Sequence, residues 1–353
     1  MNEDLWKQQL TDRITNREIL AGKIELTEKE KQYFETFVDY PFAITHYYFS
    51  LIDKTNPLDP VRKQCIPQLE ETVIKEYESS DPLREDDFSP VPGLVHRYKN
   101  RVLLLITDTC AVYCRHCFRR AFTGNNFGCI SKGDLDKALE YIIKHPEINE
   151  ILLSGGDPLT LNNKTLADIL EKIEHIKRKL TVRICTRIPV VMPQRIDEEL
   201  IRVFKKMNSV WIVTQFNHYK EITLQSKNAV KMLIDSGIPV LNQTVLLRGI
   251  NDSKEILVKL FTELILSRIK PYYIFQGDLA CGTGHFRTNL NKATALIKEV
   301  YSEVSGIARP FYAVDLPGGG GKIILNCNRK YKSENGFYQL KDNNGKVYFY
   351  PEE

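Results

Sequence analysis

No apolar run in this 353-residue chain approaches the length of a membrane span, and the longest purely apolar stretches resemble residues 102–106. The opening segment MNEDLWKQQL carries acids and lacks the apolar core of a secretory leader, so a cytoplasmic location is expected and a membrane partner is not. Charge of one sign is also lacking. Lys and Arg total 49 against 45 Asp and Glu, a net +4, and no basic block exceeds short groups such as residues 177–179. That balance leaves no electrostatic footprint for nucleic acid, which is not expected as a partner. No short-period repeat is visible, and 42% hydrophobic against 27% charged residues excludes a disordered or fibrous chain. Cysteine is sparse too. Eight in this length, without a leader, read as metal ligands or buried thiols rather than as a disulfide framework.

What is present from about residue 100 onward is alternation. β-Branched apolar runs at 102–107, 150–154, 182–187, 210–215, 240–246 and 272–275 are separated by amphipathic stretches at 132–145, 164–177, 197–207, 221–236, 253–269 and 290–304. A further run at 311–315 reads as an extra strand, and Gly237 stands where a helix C-cap would. Apolar strands joined by helices predict a parallel sheet covered by helices, either a barrel-like (βα)6 sheet or a doubly wound one. Both place chemistry at the strand C-termini. Three regions are expected: a helical preface over 1–95, the barrel over 96–327, and a short C-terminal hairpin over 328–353. The preface holds the capping-box pattern Thr27-Glu28-Lys29-Glu30 and an aromatic-rich segment including Tyr33, Phe34, Phe37, Tyr47 and Tyr48. It should pack on the barrel or on another subunit. The hairpin is signalled by Asn344-Gly345 between strand-like runs.

Immediately after the first barrel-like strand, TDTCAVYCRHCFRR spaces Cys110, Cys114 and Cys117 as C-x3-C-x2-C. Three thiolates in one loop can hold three corners of a cubane cluster and leave the fourth iron open. Two other readings remain at this point: a structural zinc completed by His116 or Cys129, and a closed four-cysteine cluster using Cys129. The spacing and its place after strand one resemble the radical S-adenosylmethionine enzymes, in which the open iron binds the cofactor's methionyl group. One βα unit later, Ser154-Gly155-Gly156-Asp157-Pro158 resembles that superfamily's glycine-rich motif, where absent side chains allow close backbone approach. Arg187, in CTRIP, is a candidate for the cofactor carboxylate; alternatively it is a solvent-exposed strand-end charge.

Near the barrel's end stands Asp315-Leu-Pro-Gly-Gly-Gly-Gly-Lys322. A flexible glycine stretch ending in one amine suits a lysine that forms a Schiff base with pyridoxal phosphate and then swings away, although a loose linker or a phosphate loop is also compatible. The P-loop spacing is not met, because Ile323 follows the lysine. Upstream, VHRYKNR supplies Arg97 and Arg101, four apart, which on a helix would share a phosphate-binding face; a surface basic pair is the plainer reading.

Together, CRHCFRR, VPGLVHRY, SGGDPL, TQFNH, LNQTVLLRG, PYY followed by HFRT, and DLPGGGGK resemble the lysine 2,3-aminomutase family over nearly the whole chain. The resemblance implies a homo-oligomeric, pyridoxal phosphate-dependent radical S-adenosylmethionine isomerase on a partial (βα)6 TIM-like barrel. It makes Cys110, Cys114 and Cys117 the ligands of a [4Fe-4S] cluster and Lys322 the pyridoxal phosphate lysine. It places Arg97, Arg101 and Gln243 around pyridoxal phosphate, and His116 with the turn of Ser154, Gly155, Gly156 and Asp157 near S-adenosylmethionine. Arg119 is placed on the substrate carboxylate, and Asp278 and Asp315 on the ε-ammonium of L-lysine. Reduction by flavodoxin or ferredoxin is implied, followed by hydrogen abstraction at the β-carbon and migration of the amine from α to β. Family members with a zinc site have a cysteine where this chain has Ser253, and a cysteine-bearing tail; no cysteine follows Cys327 here, so that zinc is expected to be absent and the usual subunit arrangement is open. An iron-sulfur electron carrier and a catalytically degenerate binding protein are the readings from other classes. Within the enzyme class, a relative acting on glutamate or arginine, or one making β-lysine for a translation factor, is the alternative.

Overall fold

The computed structural model describes residues 3–36, 40–176 and 178–352; Phe37 of the aromatic segment and Lys177 of the basic group lie outside them. Nine strands form one sheet whose spatial order is its chain order. They are β1 (Leu94–Tyr98), β2 (Arg101–Thr107), β3 (Glu150–Gly155), β4 (Thr181–Cys185), β5 (Val210–Thr214), β6 (Val240–Val245), β7 (Lys270–Phe275), β8 (Phe311–Leu316) and β9 (Gly321–Ile324). Strands β2 through β8 are mutually parallel, while β1 runs antiparallel to β2 and β9 antiparallel to β8. The result is a parallel sheet nearly closed into a barrel, with an antiparallel strand at each edge.

Strand patterning explains why this sheet has an inside. In β4, Val182 and Ile184 are fully buried while Thr181, Arg183 and Cys185 face the central cavity; in β6, Val240, Asn242 and Thr244 are buried while Leu241, Gln243 and Val245 face it. The two-residue period of a strand thus sends one set of side chains under the helices and the other into the barrel.

The barrel helices follow strand by strand. They are α6 (Lys132–Lys144), α7 (Asn163–Glu174), the short α8 (Ile188–Val191) with α9 (Glu198–Phe204), α10 (Leu224–Asp235), α11 (Lys254–Leu266) and α12 (Leu290–Glu303), preceded by α1 (Glu3–Thr11), α2 (Arg17–Ala21), α3 (Glu28–Glu35), α4 (His46–Ser50) and α5 (Arg62–Cys65). Ser131, Asn162, Asp197, Thr223, Ser253 and Asn289 each cap a barrel helix by accepting a hydrogen bond from a backbone N–H of its first turn. Ser253, the position noted above for its lack of a cysteine, is therefore a helix cap. Gly237 follows α10 at φ 81° as the C-cap pattern requires.

The N-terminal region packs on the barrel rather than standing apart: Trp6, Ile14, Leu20 and Tyr48 share one hydrophobic cluster with the barrel and with Tyr338 and Tyr350 of the tail. Thr27 and Glu30 form the expected capping box of α3, and Glu30 also pairs with fully buried Arg62 at 2.6 Å. The region is less helical than expected, since residues 66–93 run as loops and single 3₁₀ turns. At the tail, β11 (Phe337–Lys341) and β12 (Val347–Pro351) make the expected hairpin, and a two-residue strand β10 (Ser333–Glu334) extends it.

Candidate active site

A cavity of about 860 Å³ opens inside the barrel toward the strand C-termini, within the range of a cofactor site. Cys110, Cys114, Cys117, Lys322 and every residue that the resemblance places around the cofactors and substrate line it. Cys129 does not; it lines a separate pocket between α6 and α7.

The cysteine loop forms one wall. Cys110, Cys114 and Cys117 are free thiols, half-buried; burial, with the neighbouring cysteines adding to it, pushes the Cys110 pKa well up and the Cys117 pKa up to about 11. A thiol set that resists ionising next to its neighbours is relieved by cationic iron, which is the chemistry of this donor set. The loop is anchored from the N-terminal region. Tyr40 donates to the Cys114 carbonyl at 3.2 Å, Arg13 donates to the Cys110 carbonyl, and buried Arg115 is held by both oxygens of Glu71 at 2.9 and 2.6 Å. Among the described residues no three His, Cys, Asp or Glu side chains converge tightly enough for a single metal ion. The three cysteines line the cavity.

The Ser154-Gly155-Gly156-Asp157 turn lies beside this loop, and packing within the chain requires its glycines. A Cβ on Gly155 would meet the Thr107 carbonyl oxygen at 2.3 Å, and one on Gly156 the Thr109 oxygen at 2.4 Å. The missing side chains therefore let the end of β3 press against the start of the cysteine loop, with the Gly156 and Asp157 N–H groups donating to Thr107 and Thr109 at 2.6 and 2.8 Å. Asp157 is a tie as well. Its carboxylate accepts from the Thr186 hydroxyl and from the Arg187 and Leu159 N–H groups at 2.6, 2.7 and 3.0 Å, joining the turns after β3 and β4.

Arg187 is no exposed strand-end charge. Its strand stops at Cys185, and its guanidinium is buried in a polar network, donating to Glu221, Gln64 and Tyr48 at 2.6, 2.6 and 3.0 Å and to the Cys114 sulfur at 2.8 Å. The charge is buried because Glu221, fully enclosed, balances it. His116 stands against the same network. Amide groups of Gln215 and Asn217 approach its Nε2 at 3.2 and 3.3 Å, so Nε2 accepts and the proton sits on Nδ1, which is buried without a partner. Burial, with Arg187 adding to it, pushes the imidazole pKa well down, and the ring is neutral.

At the other wall, β8 and β9 form a hairpin in which Asp315 faces Lys322 in register, and Lys322 Nζ lies 3.0 Å from the Asp315 carboxylate. The glycine stretch between them is a tight turn, contrary to the expected flexible arm. Gly318, Gly319 and Gly321 take φ of 65°, 83° and 78°, and a Cβ on Gly319 would meet the Phe88 ring at 2.9 Å. The Lys322 N–H donates to the Tyr98 hydroxyl at 2.9 Å, and its ammonium lies 4.0 Å from the Phe275 ring centroid. Arg97 and Arg101 do not share a helix face: they belong to β1 and β2, joined by a tight turn, and meet at the cavity from adjacent strands. The backbone is extended because Leu94 and Leu104 pair across this hairpin and bury its apolar side. Arg97 Nε is buried without a partner, an unspent donor of the kind an anion would satisfy. Asp278, after β7, has its pKa pushed up to about 8 by burial, with Asp315 adding to it and Lys322 and Arg119 opposing. Arg119 carries a surprise: Nε and Nη2 of its fork already hold Glu85, the first at 2.7 Å.

This arrangement can be set beside known proteins. The Radical SAM superfamily model matches residues 104–261. An L-lysine 2,3-aminomutase of Fusobacterium nucleatum is 46% identical over 90% of this chain and 75% of its own length. One from Clostridium subterminale is 44% identical over 98% and 84%, and a glutamate 2,3-aminomutase of Clostridioides difficile 39% identical over 97% and 81%. The chain belongs to the lysine 2,3-aminomutase family. As a radical SAM member of that family it uses a [4Fe-4S] cluster with S-adenosylmethionine. Among the described residues of this aminomutase-family chain, no helix is long and apolar enough to cross a membrane.

Reading the sequence missed several residues of this site. Glu85 and Glu221 carry no motif of their own; Glu71, Glu78 and Glu85 stand seven apart before β1 and each holds a buried or half-buried arginine, which only the fold reveals. Tyr98 lay inside VHRYKNR beside the arginines but was given no role. Tyr273 and Phe275, which flank the lysine, looked like ordinary strand residues.

Proposed function

We propose that the chain is an L-lysine 2,3-aminomutase, converting L-lysine to β-lysine with a [4Fe-4S] cluster, S-adenosylmethionine and pyridoxal phosphate, and with electrons from a one-electron donor of the flavodoxin or ferredoxin type. The observation that carries it is the placement, in one cavity, of three free cysteines on one wall and of Lys322 with two carboxylates, Asp278 and Asp315, on the other.

Bound there, the cluster and S-adenosylmethionine supply one-electron abstraction of a hydrogen, and pyridoxal phosphate supplies a carbonyl for an amine. Cys110, Cys114 and Cys117 are the cluster ligands in this reading. The His116 Nδ1–H and the turn of Ser154, Gly155, Gly156 and Asp157 border S-adenosylmethionine, and Arg187 borders both it and the cluster through Cys114. Lys322 is the amine that carries pyridoxal phosphate, and Arg97, Arg101 and Gln243 take its phosphate and ring edges, the free Arg97 Nε being suited to an anion. Asp315 keeps Lys322 in place and accepts from an ammonium. Arg119 binds the substrate carboxylate, and Asp278 with Asp315 binds the ammonium at the far end of lysine, each charge-assisted hydrogen bond contributing about 1.5–3 kcal/mol. Glutamate would place a carboxylate against the same two acids and be repelled. Enclosure within the barrel excludes water from the reacting atoms.

The test is an anaerobic assay of the reconstituted protein with L-lysine, L-glutamate and L-arginine supplied separately. β-Lysine should form, with glutamate a poor substrate. Preferential turnover of glutamate or arginine overturns the substrate assignment.

A further inference from the structure

The guanidinium expected to meet the substrate carboxylate is not free. An arginine fork has two edges able to hold a carboxylate bidentately, Nε with Nη2 and Nη1 with Nη2. Glu85 fills the first: Oε2 accepts from Nε at 2.7 Å and Oε1 accepts from Nη2. On the second edge, Nη1 makes only a 3.4 Å contact with the Ser154 hydroxyl. Both partners are largely enclosed, with side-chain exposures of 15% each, and both line the cavity.

Glu85 is itself held. Its N–H donates to Asp81 at 3.0 Å, and its segment is fastened to the cofactor side of the cavity. Gly318 of the glycine turn donates to the Pro82 carbonyl at 3.2 Å, Arg97 donates to the Leu83 carbonyl, and the Phe88 ring lies under Arg97 and against Gly319. Residues 82–88 thus touch the turn before Lys322, the phosphate-side arginine and the carboxylate-side arginine at once.

Resting on the reading of Arg119 given above, we propose that Glu85 is a specificity-determining positioning residue, which locks one edge of the Arg119 fork so that the other edge is presented to the α-carboxylate of the amino acid. Its second consequence is charge separation. Arg119 lies near enough to Asp278 to act on its ionisation, as does Glu85. An Arg119 without Glu85 would turn toward Asp278, joining the groups meant for opposite ends of the substrate. With Glu85 in place, the carboxylate end of the cavity holds a balanced pair with an open edge, and Asp278 remains for a cation.

The experiment uses pyridoxal phosphate-loaded protein and follows the visible absorbance change as an incoming amine displaces Lys322. L-Lysine is compared with L-lysinamide, which keeps both amines and lacks the carboxylate. Glu85→Ala should weaken lysine about tenfold to a hundredfold, the span of one charge-assisted hydrogen bond, and change lysinamide by less than about threefold. Glu85→Gln, which keeps an acceptor without the charge, should fall between. Equal losses for the two ligands would show a merely structural role and overturn the inference, and so would tighter lysine binding by Glu85→Ala, the mark of a carboxylate that competes with substrate. If the unaltered protein gives no absorbance change with lysine, the pyridoxal phosphate reading itself fails, and the inference with it.

Discussion

Asp315 and Lys322 face each other across the β8–β9 hairpin, carboxylate to ammonium at 3.0 Å, at the closing edge of the barrel. The register is set by the turn between them. Because that turn needs left-handed backbone at three glycines and close contact with Phe88, the lysine arrives at the cavity in one position. The amine also rests on the rings of Phe275 and Tyr273, at 4.0 and 5.2 Å from their centroids.

From this follows the labelling expected at Lys322. Borohydride reduction of pyridoxal phosphate-loaded protein should fix the cofactor to the peptide that contains Lys322, and Lys322→Ala should abolish the label. Asp315→Asn should keep the label, since the hairpin register does not depend on the charge, while weakening lysine binding by about 1.5–3 kcal/mol. Label on another lysine would remove the assignment.

The cysteine wall yields a second expectation. Cys114 accepts from Arg187 and lines the cavity, whereas Cys129 lines a different pocket. Anaerobically reconstituted Cys114→Ser should lose the [4Fe-4S] absorbance and electron paramagnetic resonance signal, and Cys129→Ser should retain both. Cluster loss in Cys129→Ser would restore the closed four-cysteine alternative.

Much of this site was legible because its chemistry is local in the chain. The cysteine triplet, the Ser-Gly-Gly-Asp turn and the glycine-lysine segment are short, and their strands have the two-residue and helical periods that place them at one end of a barrel. What was not legible depends on long-range partners. The sequence leaves Arg187 open between a cofactor contact and an exposed strand end because nothing nearby announces Glu221 34 residues on, and it leaves Arg119 without a partner because Glu85 lies 34 residues before it. The Arg97–Arg101 spacing suits a helix or a hairpin equally, and the buried apolar side of the β1–β2 pair decides between them. The glycines before Lys322 suggest a flexible arm, whereas Phe88 occupies the space that a side chain on Gly319 would need, as Thr107 and Thr109 do at Gly155 and Gly156.

The link between the N-terminal region and the cysteine loop predicts an acid-sensitive joint. Burial alone would raise the Glu71 pKa; Arg115 and Arg120 outweigh it and hold it below its ordinary value of 4.5. A carboxylate lowered by folding contributes stability that is present above that ordinary value and lost as pH falls through the lower, folded one. Glu71→Gln leaves two buried guanidiniums without their counter-charge and should cost about 3–5 kcal/mol in urea unfolding at neutral pH. The gap between variant and unaltered protein should narrow below pH 4.5, and a gap independent of pH would assign the loss to packing.

Asp278 has the opposite pKa shift, and its pH dependence is expected in ligand binding. With a pKa near 8, raised by burial and by Asp315, its carboxyl is mostly protonated in the free site at pH 7. The ε-ammonium of lysine favours the carboxylate, so binding below pH 8 expels a proton, and affinity should rise with pH by up to about tenfold per unit until about pH 8. The proton that the α-amine gives up on displacing Lys322 passes to the released Lys322 amine beside Asp315, so this exchange adds no slope of its own. Asp278→Asn isolates the carboxyl. The variant should bind lysine more weakly at pH 8 with a flatter pH dependence, and the ratio of its affinity to that of the unaltered protein should approach one as pH is lowered. The measurement is lysine titration of pyridoxal phosphate-loaded protein between pH 6 and about 9, a window set by linkage. A ratio that does not change with pH would mean that Asp278 does not ionise to meet the substrate, and that the cation at the far end is held by Asp315 alone.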